Sequence, residues 1–204
     1  MMKTNILIFL IFSIFGLSQS ILAETKILFL GDSLTAGYGI EKFQAFPTLI
    51  DKKLKEKGYK NIKVINGGIS GSTSASALSR LKWYLKIKPD IMILARGAND
   101  GLRGLSVSEL RKNLTACIQL AKENNIIIVL AGMRMPPNYG AAYTKSFFQI
   151  FGEVSKEQNV PLIPFLLKDV AGIPDLNIPD GIHPNEAGHK IVAQTVLPYI
   201  IKLL

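Results

Sequence analysis

The chain has 204 residues, of which 48% are hydrophobic and 19% charged, a balance that supports a buried core and excludes a disordered or low-complexity polypeptide. Its formal net charge of +9 suits an anionic partner such as a phospholipid surface or an acidic small molecule, or only a solvated basic exterior. The lysines are dispersed, as at Lys52, Lys53, Lys55 and Lys57, with no nucleic-acid-binding motif beside them.

In chain order, the first predicted element is a signal peptide at residues 1–23. Lys3 is followed by an uncharged apolar run, Ile6 to Leu17, the layout of an export leader. Cleavage after Ala23 would release residues 24–204 as one domain, exported and periplasmic or secreted; cleavage after Ser20 is the weaker alternative. The competing reading is an uncleaved anchor, since residues 6–23 approach the length of a membrane span; Gly16 and the Ser-Gln-Ser run argue against it. Beyond the leader, short β-branched runs alternate with amphipathic ones. Strands are predicted at Lys26–Leu30, Lys63–Ile65, Ile91–Ala95, Ile126–Ala131 and Pro161–Ile163. Helices are predicted at Ala45–Lys57, Ser74–Lys86, Ser108–Asn124, Ala142–Gln158 and Glu186–Ile201. Such alternation implies βαβ crossovers and a parallel sheet covered on both faces. The expected fold is α/β, a three-layer αβα arrangement of five parallel strands, taken in the flavodoxin-like order 2-1-3-4-5. Cys117, the only cysteine, falls in a helical pattern, so no intramolecular disulfide can form; it reads as a small buried side chain.

In an open parallel sheet, ligands bind beyond the carboxyl ends of the strands where the strand order reverses. The loops that meet there are Gly31–Gly39 (GDSLTAGYG), Asn66–Thr73 (NGGISGST) and Arg96–Gly104 (RGANDGLRG). Ser33 in the first is either a turn former, part of a phosphate cradle, or a nucleophile. A nucleophilic serine needs an imidazole whose second nitrogen is held by a carboxylate. Asp180-Gly181-Ile182-His183-Pro184, in a turn before the last helix, offers both. Donors for an oxyanion are the backbone N–H groups of Ser33 and Gly71 and the side-chain amide of Asn99. Asp32 and Asp100 read as hydrogen-bonding braces, Asp100 for the turn around Asn99. His189 reads as a face residue of the last helix. No metal is implied, because His183 and His189 are six apart without a third ligand. No cofactor is implied either: the chain lacks both G-x-G-x-x-G and the P-loop signature. Nor is there a G-x-S-x-G elbow, since Thr35 stands where its second glycine belongs.

Together GDSLTAGYG, ISGSTS, GANDGLRG and DGIHPNEAG resemble the four blocks of the GDSL, or SGNH, hydrolases, over Lys26 to Leu204. Their order and spacing are similar to the small bacterial exported branch of arylesterases, acyl-CoA thioesterases and lysophospholipases. The resemblance implies a nucleophile at Ser33, oxyanion donors at Ser33, Gly71 and Asn99, a base at His183, and Asp180 completing the triad. It implies a monomer acting on a small acyl ester, thioester or lysophospholipid, with transient contact to an anionic membrane surface and no nucleic acid. Carbohydrate O-acetylesterase activity and a noncatalytic lipid- or anion-binding module are the alternatives. Met135 to Tyr143 resembles a loop near the acyl pocket of that branch, and Gly101 to Leu105 a mobile loop that adapts to acyl chains. Two positions depart from the pattern: Arg96, where relatives usually carry an apolar residue, and Ser72, where the block often continues with aspartate. Both are expected to retune the pocket or its charge.

Overall fold

The structure, a computed structural model, describes residues 24–204, so the predicted leader lies outside the described residues. Five strands, β1 (Thr25–Gly31), β2 (Ile62–Asn66), β3 (Ile91–Ala95), β4 (Ile127–Ala131) and β5 (Leu162–Ile163), form one sheet in the order β2-β1-β3-β4-β5. All neighbouring pairs are parallel, as the alternation of elements predicts. β1 from Ile27 onward and the whole of β3 are buried. These are uninterrupted apolar runs, as strands covered on both faces require. The edge strands differ: β2 is only partly buried and β5 has two residues.

Among the described residues, seven α-helices accompany the sheet: α1 (Ser33–Ala36), α2 (Phe46–Glu56), α3 (Ala77–Tyr84), α4 (Ala98–Leu102), α5 (Val107–Glu123), α6 (Ala141–Glu157) and α7 (Glu186–Ile201). α2 packs against α7, whereas α3 packs against α5 and α5 against α6; these two groups form the outer layers. In α5, Leu110, Leu114, Cys117, Ile118 and Ala121 are buried, the three- and four-residue spacing of one helical face. Its first turn is capped by Ser106, whose hydroxyl accepts from the Glu109 N–H. Asn185 caps α7 through the N–H groups of Ala187 and Gly188.

The longer helices lie within one or two residues of their predicted positions. The pattern over Ser74–Lys86 resolves into α3 between single 3-10 turns. α1 and α4 were not expected, because four or five residues are too few to show a 3.6-residue period. Both sit at the carboxyl end of a central strand, where the chain leaves β1 and β3.

Candidate active site

Each crevice loop is held by its own strand. Asp32 follows β1 and caps α1, its Oδ1 accepting from the Leu34 N–H at 3.0 Å, which sets Ser33 at the first turn. The second loop is laid along the first: Gly67 and Ile69 donate to the carbonyls of Phe29 and Gly31 at 2.8 and 3.1 Å. Asn66 completes the junction, donating to the Thr35 carbonyl at 2.9 Å while accepting from the Gly68 N–H at 3.0 Å. Gly68 must be glycine here, since a Cβ would lie 2.2 Å from the Ala36 nitrogen.

The last loop returns to the first across 150 residues. His183 Nε2 lies 2.8 Å from Ser33 Oγ, and His183 Nδ1 lies 2.6 Å from Asp180 Oδ2. A carboxylate only accepts, so Nδ1 carries the ring proton and Nε2 accepts from the Ser33 hydroxyl. Asp180 Oδ1 accepts from the backbone N–H groups of Ile182 and His183 at 2.9 and 3.0 Å. Gly181 makes that turn possible with a φ of 70°. Partial burial works to raise the Asp180 pKa, but these two backbone donors and the imidazole outweigh it and hold the group below its ordinary value. Asp180 therefore stays an anion at neutral pH, and an anion is what an imidazolium at His183 needs.

Asn99 lies in the first turn of α4, its Nδ2 donating to the Ser72 carbonyl at 3.2 Å. The amide has a second N–H, and Asn99 lines the same cavity as Ser33 and His183. Gly71 is in the left-handed region at φ 74°, with its carbonyl accepting from Arg103 Nη2 at 2.8 Å. The cavity, of about 190 Å³, is walled by apolar side chains that include Leu34, Leu102, Met133, Met135, Phe165 and Ile182. Tyr139 and Tyr143 tie the segment from Met135 to the one around Leu102: their hydroxyls donate to the carbonyls of Leu102 and Leu105 at 3.1 and 2.9 Å.

Several expectations change on folding. Asp100 does not brace its own turn. It is buried and reaches Ser74, taking the Ser74 N–H at 2.8 Å and hydroxyl at 2.5 Å, because a carboxylate removed from water needs more than one donor. Asp32 is a brace through one oxygen only. Burial pushes its pKa up to about 6, against the pull of the Leu34 N–H and Arg96. Arg96 and Ser72 do not line the cavity; Arg96 is buried behind it and donates to Ser72 Oγ. His189 is on the inward face of α7, accepting from the Phe46 N–H through Nδ1 at 3.2 Å. Tyr38, which sequence reasoning passed over, packs its ring against His183 at 4.7 Å between centroids. Its place five residues after Ser33, past a glycine that turns the chain, was the available signal.

The family model described as GDSL-like lipase/acylhydrolase matches residues 29–191. The esterase TesA of Pseudomonas aeruginosa is 36% identical, over 92% of this chain and 93% of its own. Thioesterase 1/protease 1/lysophospholipase L1 of Escherichia coli K12 is 37% identical, over 84% and 81%. Among solved structures, the psychrotrophic esterase EstA from Pseudoalteromonas sp., inhibited by monoethylphosphonate, is similar with a TM-score of 0.83 at 36% identity, covering 88% of this chain and 98% of that one.

Proposed function

This chain belongs to the GDSL-like lipase/acylhydrolase family and is a serine hydrolase of carboxylic esters, and on that premise we propose that Ser33 is its nucleophile, His183 the general base and Asp180 the third member of the triad. The observation that carries the assignment is the continuous hydrogen-bonded line from Ser33 Oγ through His183 to Asp180. Ser33 Oγ attacks the acyl carbonyl as His183 Nε2 takes its proton, while Asp180 holds Nδ1–H and stabilises the imidazolium. The carbonyl oxygen becomes an oxyanion stabilised by the N–H groups of Ser33 and Gly71 and the Asn99 amide. Collapse expels the alcohol or thiol, with His183 returning the proton to an alkoxide; a thiolate needs that help less. Water, deprotonated by the same histidine, then attacks the acyl-serine and releases the acid.

The apolar cavity supports acyl chains longer than acetyl, whether esters, thioesters or lysophospholipids. Each methylene buried in it contributes about 0.8 kcal/mol, roughly fourfold in kcat/KM until the cavity fills. The apolar lining of the cavity and the basic net charge support transient contact with an anionic membrane surface. The apolar run at residues 6–17 supports export of residues 24–204 as a single domain.

The test combines a fluorophosphonate probe with p-nitrophenyl esters from acetate upward and a lysophospholipid. Wild-type protein should label, Ser33→Ala should not, and kcat/KM should climb beyond acetate. Absence of labelling would reject the nucleophile; a maximum at acetate would reject the lipid-like substrate and favour O-acetylated carbohydrate.

A further inference from the structure

Ser72 and Arg96, the two positions that depart from the family's sequence pattern, meet in space. Arg96 leaves the end of β3 and is 1% exposed, and its Nη1 donates to Ser72 Oγ. The Ser72 hydroxyl in turn donates to the Ile69 carbonyl at 2.5 Å, and the Ser72 N–H donates to the same carbonyl at 3.2 Å. Residues 69–72 thus form a closed turn with Gly71 inside it. Three side chains from the loop after β3 grip this turn: Arg96 on the Ser72 hydroxyl, Asn99 on the Ser72 carbonyl and Arg103 on the Gly71 carbonyl. Of the three, Arg96 alone is fully buried.

A buried guanidinium is expensive. Removing it from water costs several kcal/mol, offset only by charged or hydrogen-bonding partners. Arg96 donates to the Ser72 hydroxyl and feels the field of the buried Asp32 carboxylate, with which it makes no direct contact. Its Nε and Nη2 have no hydrogen-bond partner, so the contact to Ser72 is its one direct hydrogen bond among the described residues. An apolar side chain would fill this position more cheaply if packing were its only task.

Resting on Ser33 as nucleophile and Gly71 as oxyanion donor, we propose that Arg96 is a positioning residue. Its guanidinium pins the 69–72 turn to the end of β3, keeping the Gly71 N–H aimed at the oxygen on which negative charge develops. Arg96 touches neither the substrate nor the reacting atoms. Losing it lets the turn relax, which weakens transition-state binding while leaving the acyl cavity intact.

The experiment compares wild type, Arg96→Leu, Arg96→Lys, Ser72→Ala and the Arg96→Leu/Ser72→Ala double variant on one p-nitrophenyl ester. Active serines are titrated with a fluorophosphonate, so that kcat is expressed per competent site. Arg96→Leu should lose about 10- to 100-fold in kcat, less than the roughly 10²- to 10³-fold of a donor removed outright, with KM within about twofold because ground-state binding is untouched. Arg96→Lys should recover part of the loss, and Ser72→Ala should show a smaller fall. The double variant should fall by less than the product of the two single effects, since both single changes break the same Arg96–Ser72 bond. Wild-type kcat per titrated site in Arg96→Leu, even with a lowered Tm, would make the residue merely structural and overturn the proposal; so would multiplicative effects in the double variant. Should Arg96→Leu fail to fold, an unchanged kcat per site in Ser72→Ala overturns it equally. A wild-type protein that neither labels nor turns over would instead remove the nucleophile assignment on which the proposal rests.

Discussion

Replacing His189 by asparagine should reverse its effect on stability between neutral and acid pH. His189 is 1% exposed. Its Nδ1 accepts from the N–H of Phe46, the first residue of α2, and its ring stacks on the Phe46 ring at 6.1 Å. The residue before Phe46, Ala45, offers α2 no side-chain cap, so α7 supplies the acceptor that the start of α2 lacks. Protonation would destroy that acceptor and place a cation at the positive end of a helix. Burial, and secondarily the neighbouring His183, pushes the His189 pKa down from 6.5 to about 4. That gap corresponds to about 3 kcal/mol of linkage. The contribution is complete above pH 6.5, where the ring is neutral in both states. It is lost as pH falls toward about 4, because the unfolded chain takes up a proton that the folded one refuses. Asp32 acts with the opposite sign: its pKa, raised from 3.8 to about 6, adds stability as pH falls through that window. The wild-type curve alone therefore mixes the two, and the difference from His189→Asn isolates the histidine. Asparagine keeps an oxygen near Nδ1 and does not titrate. Its smaller size should cost about 1–2 kcal/mol at pH 7.5. Urea unfolding from pH 7.5 to 4 should show wild type ahead at neutral pH and the variant ahead by a similar margin at pH 4. Parallel stability curves would refute the neutral, capping histidine.

Two further outcomes follow from named contacts. Asn99→Ala should lower kcat by about 10²-fold with little change in KM, measured on the same ester series; near-normal turnover would remove Asn99 from the oxyanion site. Cys117 is fully buried, and burial pushes its thiol up to about 12 despite the nearby Arg96. Iodoacetamide should therefore leave the native protein unmodified at pH 8 and alkylate it only after denaturation, with intact mass as the readout.

The alternation of apolar runs and amphipathic stretches was enough to place five strands and the long helices, and the all-apolar runs Ile27–Leu30 and Ile91–Ala95 marked the strands buried at the centre. Ser33, Gly71, Asn99, Asp180 and His183 could be singled out as candidates from short local blocks, because a nucleophile, its base and its donors would each need a particular residue type in a turn of particular chemistry. The folded chain alone decided how those blocks are held. α1 and α4 are shorter than any periodic signal can register. The bonds from His189 to Phe46, Asp100 to Ser74 and Arg96 to Ser72 join residues 143, 26 and 24 apart. Nothing in a local pattern encodes such partners. A buried polar side chain takes whichever donor or acceptor the packed layers bring within reach, and that choice exists only once the sheet and helices are assembled.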